Sequence, residues 1–339
     1  MIRTPVLRPP VLDPDPTAPG PVAALWRPRA SLRGHLRILR IDHWFKNVFA
    51  LPGVVVALAT RPDISAVELA SRLVIALVAL GLVASSNYVI NELKDAEYDR
   101  LHPVKRHRPV PSGQVNVGLA YAQWIALAVA AFLLGATVSG AFVAALVALW
   151  IMGCVYNLPP VRTKDLPHLD VLTEAINNPL RMLAGWFIVT SSTLPPLSLL
   201  MSYWMIGCYF MAIKRYAEHR DLSGSGLAVR YRKSFRYYTG QRLLLATMFY
   251  GSAAMLFFGA FAIRYRMELI LAFPLIALIM AIYLRLGFQP NSPAEHPEKL
   301  YREPLLMVAV LACTLLMSLL VFVDLPMVRE LFTPSISPQ

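Results

Sequence analysis

Apolar runs of near-membrane length, separated by short basic segments, dominate this chain. A spanning helix needs about 20 apolar residues. Such runs lie at 45–60, 69–90, 117–137, 140–157, 170–190, 196–213, 243–263, 267–286 and 304–323. They predict an all-α fold: a polytopic membrane bundle of about nine transmembrane helices. The run at 45–60 is short and interrupted by Pro52, so it has the least support. Ser139-Gly140, and Ser191 to Thr193 ahead of Pro195-Pro196, read as tight turns that pair neighbouring spans.

Composition agrees with this pattern. Of the 339 residues, 57% are hydrophobic and 15% charged. A soluble domain carries about a quarter charged residues, so lipid is the main solvent here. Residues 1–30 are rich in Pro and Arg and contain no apolar stretch of signal-peptide type. Such a segment buries too little apolar surface to fold. The expected organisation is a disordered Pro/Arg-rich cytoplasmic tail over 1–33, one transmembrane domain over 34–326 and a short extracytoplasmic tail over 327–339. Cys154, Cys208 and Cys313 each sit in an apolar run, without disulfide or metal-ligand spacing.

The net charge of +12 is one-sided. Of 32 Lys and Arg, the N-terminal segment and the 2/3, 4/5, 6/7 and 8/9 loops carry 26, and the opposite side carries five. Arg181 lies inside a span. The positive-inside rule then places the N-terminus in the cytoplasm and, with nine spans, the C-terminus outside the plasma membrane. The charge points to a membrane face, to anionic headgroups or to phosphorylated substrates, and not to nucleic acid.

Three polar clusters interrupt this pattern. Span 2 runs on into Asn91, Asp95 and Asp99, spaced i, i+4 and i+8. On a helix these share one face. Hard oxygen donors so placed can hold Mg²⁺ while a diphosphate supplies the remaining ligands. Glu92 and Glu97 point elsewhere on the helix, to support the metal-binding residues or to pair with cations in salt bridges. A solvated helix end with alternating charge is the plainer reading. The basic strip that follows, with Lys105, Arg106 and Arg108, favours an anionic metal-bound ligand. The 4/5 loop brings Tyr156, Pro159-Pro160, Arg162 and Lys164 to the mouth of the bundle, where the two cations either meet phosphate or snorkel as anchors. Span 5 then carries Asp170, Glu174, Asn177, Asn178 and Arg181. Ionisable groups in a span normally face a cavity or a partner. The 6/7 loop opens with Lys214, Arg215, Tyr216, Ala217 and Glu218.

Asn91-Glu92-x-x-Asp95-x-x-x-Asp99 resembles the first aspartate-rich motif of the UbiA prenyltransferase superfamily, with Glu92 in place of the usual Asp. Tyr156-x-x-Pro159-Pro160-x-Arg162-x-Lys164 resembles a second superfamily motif. Ordinary members carry another aspartate-rich motif where this chain has Lys214-Arg215-Tyr216-Ala217-Glu218. The extra cations imply a ligand with more phosphate charge. Trp44-x-Lys46-Asn47, the span-2 motif with its basic sequel, and Lys214 to Glu218 are together similar to the decaprenyl-phosphate phosphoribosyltransferase branch.

That resemblance implies a UbiA-like catalytic domain and a Mg²⁺ cofactor. It also implies transfer of 5-phosphoribosyl from phosphoribosyl diphosphate to a polyprenyl phosphate lipid. Asn91, Asp95 and Asp99 would be the catalytic metal face. Lys46, Lys105, Arg106 and Arg108 would hold diphosphate. Arg162 and Lys164 would meet either phosphate, and Lys214, Arg215 and Glu218 the donor's 5-phosphate and ribose. Tyr88 and Tyr216 are hydrogen-bonding candidates or interfacial aromatics. The alternatives are prenyl transfer from a polyprenyl diphosphate to an aromatic or other acceptor, and transport. Small residues on spans 3, 4, 7 and 9 suit packing within the bundle or between the subunits of a homo-oligomer.

Overall fold

The structure, a computed structural model, describes residues 30–60, 63–100, 104–223, 233–295 and 297–332. Among these residues the regular elements are all helical. A short helix, α1 (Leu32–Arg37), precedes a 3-10 segment Ile41–Ala50 and α2 (Leu51–Leu58). Then come α3 (Ala66–Arg100), α4 (Val117–Ala136), α5 (Gly140–Asn157), α6 (Leu169–Ala175) and α7 (Asn177–Val189). The chain continues through α8 (Leu197–Ser223), α9 (Gly240–Tyr265), α10 (Phe273–Gly287), α11 (Pro304–Phe322) and α12 (Pro326–Phe332).

α1 begins inside the tail expected over 1–33, because Ser31 caps it by accepting from Gly34 N. The rest of that tail lies outside the described residues, as do His102, Arg230, Arg232 and the last seven residues of the C-terminal tail.

Seven described stretches are long and apolar enough to cross a membrane: α3, α4, α5, α8, α9, Met267–Gly287 and α11. The other two expected spans fall on composite helical segments. The first runs as a 3-10 segment up to Ala50 and becomes α-helical only at Leu51. Pro52 lacks an N–H and fits only the opening turn of a helix. The fifth is cut at Ile176 between α6 and α7, because Pro179 cannot donate to the preceding turn.

α3 runs on past the apolar stretch expected at 69–90. Its 35 residues span about 52 Å at 1.5 Å per residue, against a hydrocarbon layer of about 30 Å. The polar sequel therefore continues the same rigid helix.

Lipid tails are as apolar as Leu, so helices in a membrane associate through close packing. α2 and α7 show this most sharply. A Cβ on Gly53 would lie 1.9 Å from Met182 O, and one on Gly185 would lie 1.9 Å from Ala50 O. α8 packs along α9, α3 along α4, and α5 against both α3 and α7. Leu80, Phe142, Leu146 and Ile188 fill one buried cluster, and Cys208, Ile213 and Leu286 a second. The apolar stripe Val308, Leu311, Leu315 and Leu319 of α11 faces outward, as lipid contact requires. All three cysteines are free thiols.

Candidate active site

The polar end of α3 meets the end of α5 and the turn after it. Asn91 Nδ2 donates to Asn157 Oδ1 at 2.7 Å. Lys164 Nζ donates to the same oxygen at 2.8 Å and also pairs with Asp95 Oδ1. Arg162 Nη2 donates to Asp95 Oδ1 at 3.0 Å, and its Nε donates to Asp165 Oδ2 at 3.1 Å. Pro159 and Pro160 end α5 just after Asn157 and turn the chain back over α3. Arg162 takes a φ of 28°, unusual for a residue with a Cβ. Its guanidinium, which also donates to Lys94 O and Asn157 O at 3.3 Å, holds that conformation. Lys164 is 4% exposed, so Asp95 serves a charge withdrawn from bulk water.

One turn further, Asp99 accepts from Arg108 Nη1 at 2.6 Å. Lys105 sits in the field of Asp99 and Arg108 and of Glu218 and Lys214 on α8. Burial pushes its ammonium down to about 8, with Glu218 pulling the other way. Lys214 in turn interacts with Glu218, Arg215, Lys46 and Glu174. Cations from three segments far apart in sequence thus gather beside the acidic stripe.

A second network braces α8. Arg215 Nε donates to Asp170 Oδ2 at 3.1 Å, Nη1 to Glu218 Oε2 at 2.7 Å and Nη2 to Tyr156 OH at 3.4 Å. Tyr238 OH donates to Asp170 Oδ1 at 2.5 Å and accepts from His168 N at 2.6 Å. Burial, with the Asp170 charge beside it, pushes the Tyr238 phenol well above its ordinary value. This ties α5, α6, α8 and the segment before α9 into one unit.

Most of the expected site residues converge. Asn91, Asp95, Asp99, Lys105, Arg108, Arg162 and Lys164 are linked as described, and Lys46, Lys214, Arg215 and Glu218 lie across from them. Arg106 does not join them. It is exposed, and its Nε bonds His107 Nε2 at 3.2 Å. Tyr216 also turns away, because it sits on another flank of α8 from Lys214. Its ring meets Phe288 edge-on at 5.4 Å, with Arg220 6.0 Å above it. Tyr88 packs near His43 and Arg40 and feels Arg181 and Glu174, so it borders the polar hollow. Glu92 is a salt-bridge partner. It is 1% exposed, accepts from Val110 N at 2.9 Å and from Arg40 Nη2 at 3.3 Å, and fastens the loop after α3.

Sequence reasoning passed over Asn157, although it lies between Tyr156 and the two prolines. It also passed over Asn87, which extends the stripe one turn deeper. Asn87 Nδ2 donates to Leu149 O at 3.0 Å, and its buried Oδ1 has no hydrogen-bond partner among the described residues. Gly153 makes room for it, since a Cβ there would lie 2.2 Å from Oδ1.

The residues fit a hard cation. Mg²⁺ is usually bound through one or two carboxylates plus substrate phosphates, not in an all-protein cage. Asp95 and Asp99 supply two carboxylates, and among the described residues no group of three or more His, Cys, Asp or Glu forms a cage. Each carboxylate is held by Arg or Lys side chains that can pass to phosphate when a metal takes their place.

A family model described as the UbiA prenyltransferase family matches residues 47–310. A decaprenyl-phosphate phosphoribosyltransferase of Mycobacterium tuberculosis is 31% identical over 70% of this chain and 76% of its own. One from Mycolicibacterium smegmatis is 28% identical over 69% and 72%. A digeranylgeranylglyceryl phosphate synthase of Saccharolobus solfataricus is 39% identical over 32% and 35%. Among solved structures, a UbiA homolog from Archaeoglobus fulgidus bound to DMAPP and Mg²⁺ superposes with a TM-score of 0.64 at 20% identity, covering 86% of this chain and all of that one.

Proposed function

As this chain belongs to the UbiA prenyltransferase family, we propose that it transfers 5-phosphoribosyl from phosphoribosyl diphosphate to a polyprenyl phosphate, with Mg²⁺, at the cytoplasmic face. That it is an integral membrane transferase follows from the family and the apolar helices. The finer reading rests on one observation above all. The Asp95–Asp99 stripe is flanked by cations from four places: Lys46, the loop after α3, the loop after α5, and α8. That is more positive charge than one diphosphate requires, and a donor with a further 5-phosphate would use it. The two mycobacterial relatives carry names for the same transfer.

In this reading Asp95 and Asp99, with Asn91, hold the metal. Mg²⁺ when bound neutralises the leaving diphosphate. Lys105 and Arg108 release Asp99 and grip the diphosphate, and Lys46 and Lys214 hold the 5-phosphate. Arg162 and Lys164 turn from Asp95 toward phosphate oxygens of donor or acceptor. The bond from C1 of ribose to the diphosphate oxygen breaks, and its electron pair leaves with the diphosphate. A phosphate oxygen of the lipid forms the new bond to C1. The acceptor is already an anion, so no strong base is needed, and positioning with charge stabilisation carries the rate. One transmembrane domain over 34–326 would house this chemistry, between the two tails.

Purified protein, given labelled phosphoribosyl diphosphate, Mg²⁺ and decaprenyl phosphate, should produce labelled lipid. No labelled product with any polyprenyl phosphate, together with turnover of a prenyl diphosphate, would replace this reading with prenyl transfer.

A further inference from the structure

A groove of about 620 Å³ opens beside Glu92, at the polar end of α3. Arg33, Arg37, Arg40, His43, His107 and Arg108 line it, with Asp42 and Glu92 the only carboxylates among its lining residues. Glu92 is committed to Val110 N and Arg40. Asp42 is largely exposed and lies 3.5 Å from His43. Ion pairs among the described residues occupy Arg40 and Arg108 but neither Arg33 nor Arg37. The groove is therefore strongly electropositive.

Leu36 and Ile41 also line the groove and are each 54% exposed, and Leu32, one turn before Leu36 on α1, is 77% exposed. On α1 the leucines repeat at i, i+4 beside Arg33 and Arg37 at the same spacing. A short segment with one apolar and one basic face, placed just before the first span, suits a membrane interface. Bare phosphate would use the arginines but not the leucines. A lipid uses both.

We propose that the groove, through Arg33, Arg37 and Arg40, binds the phosphate headgroup of an anionic phospholipid of the surrounding leaflet, with its glycerol and upper acyl chain against Leu32, Leu36 and Ile41. This occupant is neither donor nor acceptor of the transfer reaction. Arg108 lines the groove and also holds Asp99, so the headgroup sits one side chain away from the acidic stripe.

The test reads lipid retention, independently of turnover. Full-length protein in detergent is titrated with phosphatidylglycerol or phosphatidylcholine, and bound lipid is counted by native mass spectrometry. Phosphatidylglycerol should be retained selectively. Arg33→Gln with Arg37→Gln should bind it roughly 30-fold more weakly. The charge-keeping pair Arg33→Lys with Arg37→Lys should bind nearly as well as the parent. Lys299→Gln with Arg302→Gln, exposed cations elsewhere, should leave retention unchanged. Equal losses in the two Gln pairs, or equal retention of phosphatidylcholine, would overturn the proposal. So would displacement of phosphatidylglycerol by inorganic phosphate, which would mark the groove as a site for a soluble anion.

Discussion

Arg108 Nη1 lies 2.6 Å from Asp99 Oδ2, and Asp99 is 2% exposed. A buried carboxylate paired with a cation from the following loop is a site at rest, with its charge balanced internally. Metal and phosphate together can replace both halves of the pair. Asp95, held by Arg162 and Lys164, repeats the arrangement one turn away. Asp99→Asn and Asp95→Asn keep the side-chain shape and remove the charge. Each should lower kcat by about a hundredfold or more and raise the Mg²⁺ concentration needed for half-maximal rate. EDTA should stop the parent enzyme and added Mg²⁺ should restore it. Turnover at the parental rate in either Asn variant would remove the metal face from the mechanism.

Arg215 was expected to touch the donor, yet its guanidinium is 3% exposed and already engages Asp170, Glu218 and Tyr156. Removing one member of a buried ion pair strands the other charge and costs about 3–5 kcal/mol. Arg215→Met should therefore melt far below the parent, whereas Tyr238→Phe, which removes one hydrogen bond to Asp170, should cost about 1–3 kcal/mol. A well-folded Arg215→Met protein with weakened donor affinity would identify Arg215 as a substrate contact and not a brace.

All nine apolar runs correspond to helical segments, because the demand for about 20 apolar residues is written directly in composition. The stripe was equally legible, since 3.6-residue periodicity alone aligns Asn91, Asp95 and Asp99. Breaks within spans were harder to read. Pro179 lies inside an apolar run, and only its missing N–H separates α6 from α7. The separation of neighbours was harder still. Arg106 lies between Lys105 and Arg108 in sequence but points out, because the short 3-10 turn Lys105–His107 sends consecutive residues to different sides. Tyr216 leaves the site for a similar reason, being two positions from Lys214 on a helix. The Asn157 bridge needed two helices to be docked before its amide had a visible task.

The close approach of Gly185 to the Ala50 backbone makes a prediction about the scaffold. Gly185 lets α7 press onto the backbone of Ala50, just four residues beyond Lys46, and a Cβ there would collide at 1.9 Å. Backbone cannot swing aside as a side chain can. Gly185→Ala should force α2 off α7 at a cost of about 1–3 kcal/mol or more, read as a fall in melting temperature. Gly140→Ala is the matched control, because nothing lies within 4 Å of its added carbon. Equal melting of the two variants would show that the helices are not in contact.

Glu295 predicts the pH dependence of stability. It ends the 3-10 turn Pro293–Glu295, which packs on α8, and its carboxyl shares a hydrogen bond with Asp221. Burial first, then Asp221, pushes Glu295 up to about 7, with Arg220 opposing. The folded protein thus keeps a proton that the unfolded chain releases near the ordinary value of 4.5. Between these values folding takes up a proton. The stabilisation is fully present below the lower value and disappears as pH rises through the upper one. Melting temperature should therefore decline from pH 5 to 8 more steeply in the parent than in Glu295→Gln, which mimics the protonated acid. Solvent reaches Asp221, whose side chain is 29% exposed, so screening keeps the effect modest. Parallel melting profiles for parent and variant across that range would mean that the two carboxyl groups do not share a proton.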